Sequence, residues 1–346
     1  MCENYSLTRP LYKGARVRRM STMTLFLAVD AGGTSTRCVA VDETGACLGY
    51  GRAASGNPIS AGPALAANSV ARAANAALVQ ADAPRARVAG VLLAMAGVSA
   101  GVGAQAFAPP LARIGVVAPV SFAGDLLATF AAGTPALDGY ALIAGTGATA
   151  GRIERGAVAG TADGLGWLLG DAGSGFWIGR RVVRSASAHL DGRGPGTSLT
   201  AALLDELGLR DDRTTRDGRP AVLDRMIEAL YALRPVELAR FARLAFEAAD
   251  TDAVAADIVD AAADALIGTL SSVFRRSVSG PIVLGGGTVA QHENLAARIA
   301  HAHPGSPVTI VEDGAVGATV LALRNAGVTV DEAVFDRIGR SLAALR

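Results

Sequence analysis

Two aspartates stand where apolar runs of the sequence end, and both are candidates for chemistry. Asp30 closes the run LFLAV, and Asp125 follows the strand-like run VVAPVSFAG and begins the helix-like run DLLATF. A carboxylate at the end of a buried strand needs a partner, and Mg²⁺ suits Asp30. Ligands bind at the carboxyl ends of parallel strands, so Asp125 could accept a proton from a substrate hydroxyl. The alternative for Asp125, which can coexist with that role, is a helix N-cap.

Three glycine-rich turns accompany these acids: DAGGT at residues 30–34, AGTG at 144–147 and LGGGT at 284–288. The amides of such turns can point at an anion, and a threonine hydroxyl adds a donor. An ordinary hairpin turn would explain the glycines of DAGGT, but not the acid beside them. AGTG superficially matches a dinucleotide fingerprint, yet the hairpin sequence RIERG follows where that motif needs a helix. We therefore predict phosphate-binding turns on two hairpins, and a third turn suited to a flat ligand or a helix N-terminus.

A fourth glycine-rich segment, GDAGSGFWIG at residues 170–179, precedes an amphipathic helical pattern. Asp171 or Ser174 could be the N-cap of that helix, and Asp171 could equally serve a ligand. Trp167 and Trp177 flank the segment, and we expect both in the core rather than as stacking platforms.

Composition excludes several function classes. The 346 residues carry 32 basic and 31 acidic side chains, a net charge of +1, which gives no footprint for nucleic acid or for an anionic membrane surface. No lysine follows Lys13, so the chain has no P-loop and no protein-kinase lysine. Any nucleotide phosphates must be held by backbone amides and a metal ion.

The cysteines and the N-terminal segment point to the cytoplasm. Cys2, Cys38 and Cys47 show neither a zinc-ligand spacing nor a disulfide framework. Residues 1–22 have no signal-peptide core and are expected to be a disordered extension. Residues 89–112 carry no charge, but glycines and prolines punctuate them, so we predict a strand, a loop and a short helix rather than a membrane span.

The elements that must position these residues form a repeated pattern. LFLAVD, TRCVAVD and ACLGYG predict a three-stranded meander, followed by a helix over 60–82, a strand at VAGVLLAMAG, a helix over 104–114 and a strand at VVAPVSFAG. A second meander begins at ALIAG, and a helical region over about 174–278 follows it. The chain then continues with the strand PIVLG, a helix, the strand SPVTIVE and a last helix. Two similar α/β halves would bring their glycine turns to one cleft.

The ordered set DAGGT, GDLL, AGTG, GDAGSG and LGGGT resembles the sugar-kinase branch of the actin and hexokinase superfamily. The resemblance covers residues 24 to about 346. It is closest to the group that joins N-acetylglucosamine kinase and glucosamine kinase with the BadF/BadG/BcrA/BcrD ATPases. It implies an α/β, two-domain actin/hexokinase-like (ribonuclease H-like) fold, with duplicated β-β-β-α-β-α-β units around a central cleft.

The resemblance also implies roles for individual residues. Asp125 matches the catalytic aspartate, and Asp30 the residue that holds Mg²⁺ through water. Asn57, Asp125 and Asp171 match positions that bind the sugar. The expected ATP and phosphate contacts come from Asp30, Gly32, Gly33, Thr34, Gly145, Thr146, Gly147, Gly285, Gly286 and Gly287.

The implied activity is transfer of the γ-phosphoryl group of ATP to the 6-hydroxyl of glucosamine or N-acetylglucosamine, with Mg²⁺ as cofactor. Ala172 and Gly124 depart from the family pattern near the sugar, so both acceptors stay open. The alternative is an ATPase that drives a partner reductase. We expect an amino sugar and ATP as partners, with no nucleic acid or membrane, and leave assembly as a homodimer open. The expected domains are 23–135, 136–325 with a helical insertion, and a C-terminal helix within 326–346 that packs back on the first domain.

Overall fold

The computed structural model describes residues 23–96, 103–216 and 218–346. The predicted extension over residues 1–22 lies outside them, as does part of the loop predicted within 89–112. The first sheet consists of β1 (Leu25–Ala31), β2 (Ser35–Asp42), β3 (Cys47–Ala54), β4 (Val88–Met95) and β5 (Val120–Gly124). Its order is β3-β2-β1-β4-β5, with β1, β2 and β3 antiparallel and β4 and β5 parallel to β1.

The second sheet repeats this arrangement. It contains β6 (Gly139–Ala144), β7 (Ala148–Glu154), β8 (Ala157–Asp163) and, after the short pair β9 (Thr215–Arg216) and β10 (Arg219–Pro220), β11 (Ile282–Gly285) and β12 (Val308–Ile310). Its order is β12-β11-β6-β7-β8, with the same strand directions as in the first sheet. The predicted fold class, with its duplicated β-β-β-α-β-α-β units, is confirmed.

Thirteen α-helices accompany the sheets in the described ranges. They are α1 (Pro58–Ala61), α2 (Pro63–Gln80), α3 (Ala104–Arg113), α4 (Asp125–Gly133), α5 (Gly175–Leu190), α6 (Leu199–Glu206), α7 (Ala221–Tyr231), α8 (Ala242–Ala248), α9 (Ala253–Val273), α10 (Gly287–Ala290), α11 (Glu293–Ala302), α12 (Ala315–Asn325) and α13 (Glu332–Ala343). The single helix predicted over 60–82 is wrong at its start. Gly62, at φ 81°, is the C-cap of α1, and Pro63 is the first residue of α2. Neither residue continues a helix that arrives from its N-terminal side, so the predicted helix is interrupted here.

The helices α4 and α12 lie between the sheets. Val39 and Leu92 of the first sheet and Ala128 and Ala131 of α4 share one buried cluster with α12 and α13. Gly317 of α12 leaves no room for a Cβ atom beside the backbone carbonyl of Ala128, so the two helices approach closely. This contact joins the helices that follow the last strands of the two sheets, β5 and β12.

The last helix, α13, packs on the β2–β3 hairpin. The Cys47 amide donates to Ser341 Oγ at 3.0 Å, and Val334 and Ile338 lie against the hairpin glycine Gly45. The exact domain boundaries stay a prediction.

The helices of the described ranges include none that combines the length and the apolarity that a bilayer crossing requires. The longest, α9, has 21 residues and carries Asp257, Asp260 and Asp264.

Candidate active site

Asp30 and Asp125 lie at one edge of the first sheet. The register places Asp30 beside Ala94 and Ala94 beside Ala123, so three parallel strands end together. With strands about 4.8 Å apart, the backbones of β1 and β5 are separated by roughly 10 Å there. Asp125 begins α4, directly after β5. The sheet thus brings Asp30 and Asp125 to the same carboxyl-terminal edge.

Asp30 is mostly buried and already has cationic and amide partners. Arg37 Nη1 lies 3.4 Å from Asp30 Oδ2, and the Gly314 amide donates to the same oxygen at 3.2 Å. Burial raises the pKa of Asp30 to about 6, and Asp313 adds to the rise, while Arg37 and the Gly314 amide oppose it. A carboxyl poised this way gains from any further cation in the cleft.

Asp313 is a site residue that the sequence reasoning missed. Its Oδ2 lies 3.1 Å from Arg37 Nε, and its Oδ1 accepts from the Ala315 amide at 2.9 Å and from Arg346 Nη2 at 2.8 Å. The signal was present, because VEDGA places an acid and a glycine just after β12, as DAGGT does at the end of β1. Arg37 therefore bridges one acid from each half of the molecule.

Asp125 is the first residue of α4 and not its N-cap, which is Gly124, so the capping alternative is not realised. Its Oδ1 accepts from the neighbouring Leu126 amide at 2.9 Å. In the described part of the chain, no hydrogen bond reaches Oδ2. Burial raises the pKa of Asp125, and hydrogen bonds from the Leu126 amide and its own amide oppose the rise. One carboxylate oxygen therefore accepts no hydrogen bond from another described residue.

The first glycine turn, Gly32–Thr34, is open to solvent. The Gly32 amide closes the turn on Ser35 O at 3.0 Å, while Gly33 and Thr34 are exposed. Among described residues, no hydrogen bond occupies the amides of Gly33 and Thr34. A Cβ on Gly33 would stand 3.0 Å from Ser60 Oγ, so the glycine keeps the chain close to α1. Two free amides and a hydroxyl can receive an anion here.

Asn57 lies behind this turn as the N-cap of α1. Its Oδ1 accepts from the Ile59 amide at 2.8 Å, and its Nδ2 donates to Ala96 O at 3.3 Å. The preceding Gly56 amide donates to Gly32 O at 3.3 Å. Asn57 therefore lies between the first turn and the end of β4. The neighbour of β4 in the sheet is β5, the strand that leads to Asp125.

The second turn, Gly145–Gly147, is held by the start of α5. The Gly175 amide donates to Gly145 O at 2.7 Å and the Phe176 amide to Thr146 O at 3.2 Å. Ser174 caps the helix by accepting from the Trp177 amide, which settles the choice between Ser174 and Asp171.

The third turn packs directly on the second. Gly286 adopts φ 90°, and a Cβ there would stand 2.5 Å from Ala144 O, so only glycine fits without strain. Thr288 Oγ1 donates to Gly145 O at 3.0 Å. Gly285 lies against the Thr129 side chain of α4, and Gly287 begins α10. The two turns are therefore in direct contact at Gly145 and Gly286, while Gly285 is buried.

Asp171 lies against the second turn. Its backbone is left-handed, at φ 57°, and its Oδ1 accepts from the Ala148 amide at 3.0 Å. Asp163 fixes this conformation by accepting from the Asp171 amide at 2.7 Å and the Ala172 amide at 2.9 Å. Burial raises the pKa of Asp171, the Ala148 amide opposes the rise and Asp163 adds to it. The predicted contact of Asp171 with a sugar stays a prediction.

The expectation that Trp167 belongs to the core is wrong. Its side chain is 41 % exposed and touches Phe176 edge-on, with ring centroids 5.8 Å apart. Gly164 and Gly166, both left-handed, turn this loop outward. Trp177 is half-buried, and the Arg181 guanidinium lies 3.8 Å from its ring centroid. It packs against the apolar cluster of α5, α8 and α9 but is not enclosed by it.

The acids fit a magnesium ion that arrives with phosphates. Within the described ranges, no group of three or more His, Cys, Asp or Glu side chains forms a ready-made metal site. Mg²⁺ usually keeps several waters and binds through one or two carboxylates and substrate phosphates. Asp30, with one oxygen that accepts no hydrogen bond from the described residues, suits such a shared site.

Comparisons with known proteins agree with this architecture. An N-acetyl-D-glucosamine kinase of Dictyostelium discoideum is 28 % identical over 324 residues, 87 % of this chain and 98 % of that protein. Solved structures of candidate N-acetylglucosamine kinases from Chromobacterium violaceum and Porphyromonas gingivalis superpose with TM-scores of 0.66 and 0.67, at 22 % and 21 % identity. They cover 87 % and 88 % of this chain, and 99 % and 100 % of their own.

A sequence profile of the BadF/BadG/BcrA/BcrD ATPase family matches residues 27–322, the larger part of the chain, including all three glycine turns and Asp125. The chain therefore belongs to the BadF/BadG/BcrA/BcrD ATPase family.

Proposed function

We propose that the protein is an ATP-dependent amino-sugar kinase that phosphorylates the 6-hydroxyl of glucosamine or N-acetylglucosamine. The observation that carries this proposal is the Asp125 carboxylate, one oxygen of which accepts no hydrogen bond from another described residue. It lies at the strand edge where Asp30 and the first glycine turn also lie. The name of the Dictyostelium relative supports the substrate class.

The glycine turns would hold the nucleotide without lysine. The amides of Gly33 and Thr34 would bind phosphate oxygens from the first half. From the second half, the second turn would bind them through Thr146 and Gly147, while the Gly145 amide closes that turn by donating to Gly147 O at 2.9 Å. The third turn, with Gly285, Gly286 and Gly287, would accept the nucleoside. Phosphoryl transfer depends mainly on positioning and on neutralising charge, which amide-lined turns can supply.

Asp30 would hold Mg²⁺ through water, with Asp313 beside it. When bound, the ion neutralises charge on the phosphates. Arg37 keeps these acids in place by pairing with both, at 3.4 Å from Asp30 and 3.1 Å from Asp313.

Asp125 would orient the sugar hydroxyl and take its proton. Its pKa is raised by burial, so the carboxylate is a better proton acceptor than an exposed aspartate. Asn57, held by Ala96 and Ile59, would donate to a sugar hydroxyl through its remaining amide hydrogen. Domain closure over sugar and ATP would exclude water and limit hydrolysis.

The choice between the two acceptors depends on how the sugar nitrogen is received. Glucosamine carries an ammonium that needs a carboxylate, whereas N-acetylglucosamine carries an amide and a methyl group. The hydrogen bond from the Ala148 amide occupies Asp171 Oδ1, so this contact does not decide between the two sugars. The name of the relative favours N-acetylglucosamine as the better acceptor.

A coupled ADP-release assay with Mg²⁺-ATP tests the proposal across glucosamine, N-acetylglucosamine, glucose and N-acetylmannosamine. We expect acceleration by the first two sugars, with the higher kcat/KM for N-acetylglucosamine. ADP release that no sugar accelerates would refute the proposal and favour the ATPase alternative. ATPases of that kind hold an iron-sulfur cluster through cysteines. Cys2 lies outside the described residues, whereas Cys38 and Cys47 are both buried, and burial raises the pKa of the Cys47 thiol to about 11.

A further inference from the structure

A basic groove runs along α5, on the part of the helix that follows its contact with the second glycine turn. Arg180, Arg181 and Arg184 line it from the helix, and Arg193 from the loop beyond. Ile258 of α9 adds an apolar side chain to the lining. The groove encloses about 540 Å³, a volume within the range that small ligands occupy.

The three helix arginines, Arg180, Arg181 and Arg184, make no ion pair with any residue that the structure describes. Elsewhere the arrangement differs, because Arg298 pairs with both Asp260 and Asp264, and Arg243 with Glu206 and Glu247. Burial lowers the pKa of Arg181, and the nearby charges of Arg184 and Arg180 lower it further. Positive charge is therefore concentrated here, although the whole chain carries only +1.

The groove is also partly pre-arranged. The Arg181 guanidinium rests 3.8 Å from the centroid of the Trp177 ring, which fixes its position. Arg193 is held by Asp191 at 2.7 Å. Ser185 adds a hydroxyl to the lining.

We propose that this groove binds a phosphate monoester or inorganic phosphate, at a site separate from the cleft between the sheets. Several guanidinium groups on one wall match the oxygens of a phosphate dianion, which arginine binds through paired N–H donors. The hydroxyl of Ser185 and the apolar floor at Ile258 would accommodate the organic part of an ester. This inference is independent of the kinase proposal.

The test follows the fluorescence of Trp177 in a Trp167→Phe background, where Trp177 is the remaining tryptophan. The probes are inorganic phosphate and glucosamine 6-phosphate, titrated separately. We expect saturable changes with at least one of them, weakened by added salt. The variant Arg180→Gln/Arg184→Gln keeps the Arg181–Trp177 contact and should bind at least ~10-fold more weakly, because two charge-assisted contacts are lost. Arg72→Gln on α2 removes a positive charge elsewhere and should bind as the parent does.

Two further arms separate the sources of a signal. Asn57→Ala should leave groove binding unchanged, so a response lost in Asn57→Ala but kept in the arginine variant would overturn the proposal in favour of product binding in the cleft. Calorimetry with the unmodified protein provides a measurement free of variants, and no saturable heat with either probe would also overturn it. Tight binding of a single-stranded oligonucleotide without a response to either phosphate would show a nucleic-acid surface instead.

Discussion

Replacing Asp30 by asparagine should stabilise the protein while it removes activity. Burial raises the pKa of Asp30 from 3.8 to about 6, so the folded protein resists ionisation of this carboxyl. At a pH well above 6, this rise of the pKa by roughly two units lowers the free energy of unfolding by about 3 kcal/mol. An asparagine of the same shape can still accept from the Gly314 amide, and Arg37 keeps its pair with Asp313.

The stability gain of Asp30→Asn should depend on pH in a direction that the raised pKa determines. A carboxyl whose pKa is raised in the folded state binds its proton more tightly there than in the unfolded state. The destabilisation caused by its ionised form is therefore small below the unfolded-state pKa of about 4 and complete above about 6. The gain from Asp30→Asn should therefore be about 3 kcal/mol at pH 7.5 and under about 1 kcal/mol at pH 4.

Denaturant unfolding of the apo protein at these two pH values measures this difference. Asp264→Asn is the matched control, because Asp264 is 74 % exposed beside Arg298 and such a pair contributes about 0–1 kcal/mol. A destabilised Asp30→Asn at pH 7.5, or a gain that does not depend on pH, would refute the reasoning. In an activity assay, the same variant should lose Mg²⁺-dependent turnover.

Three further predictions concern other residues. Asp125→Asn should lower kcat by about 10²–10⁴-fold while sugar and nucleotide still bind, measured by ADP release and calorimetry; near-normal kcat would remove Asp125 from the reaction. Gly286→Ala should destabilise the protein by about 1–3 kcal/mol and raise the KM for ATP, because φ 90° is strained for alanine and Ala144 O is 2.5 Å away, whereas Gly305→Ala, with open space around it, should be neutral. Asp252→Ala should lower the free energy of unfolding by about 1–2 kcal/mol after allowance for solvent screening. Burial would raise the pKa of Asp252, but hydrogen bonds from Ser198, Thr197 and Ala255 lower it to about 2. This stability is present above pH 4 and is lost as the pH falls towards 2, so equal stabilities at pH 7 would contradict it.

Local patterns in the sequence were enough to predict the duplicated sheets. β1 and β6 each combine an apolar run with a glycine turn and a second strand, and both signals act within a few residues. The positions of the glycine turns followed from the same patterns. The break before α2 could also have been read, since Gly62 and Pro63 are both helix-ending signals.

Contacts between distant parts of the chain could not be predicted. Asp313 and Asp30 both pair with Arg37, and the hydrogen bond from Gly314 to Asp30 joins residues 284 positions apart. Asp171 turns towards the second glycine turn because Asp163 holds its backbone in a left-handed conformation. Such arrangements depend on packing and not on local sequence.

The most direct test of the central proposal is to identify the product. The protein is incubated with Mg²⁺-ATP and N-acetylglucosamine or glucosamine, and the mixture is followed by ³¹P NMR with proton correlation. We predict a phosphate ester on the 6-position of the sugar, formed in equal amount with ADP and absent in Asp125→Asn. ADP with inorganic phosphate and no sugar ester, or an ester at another position, would contradict the account.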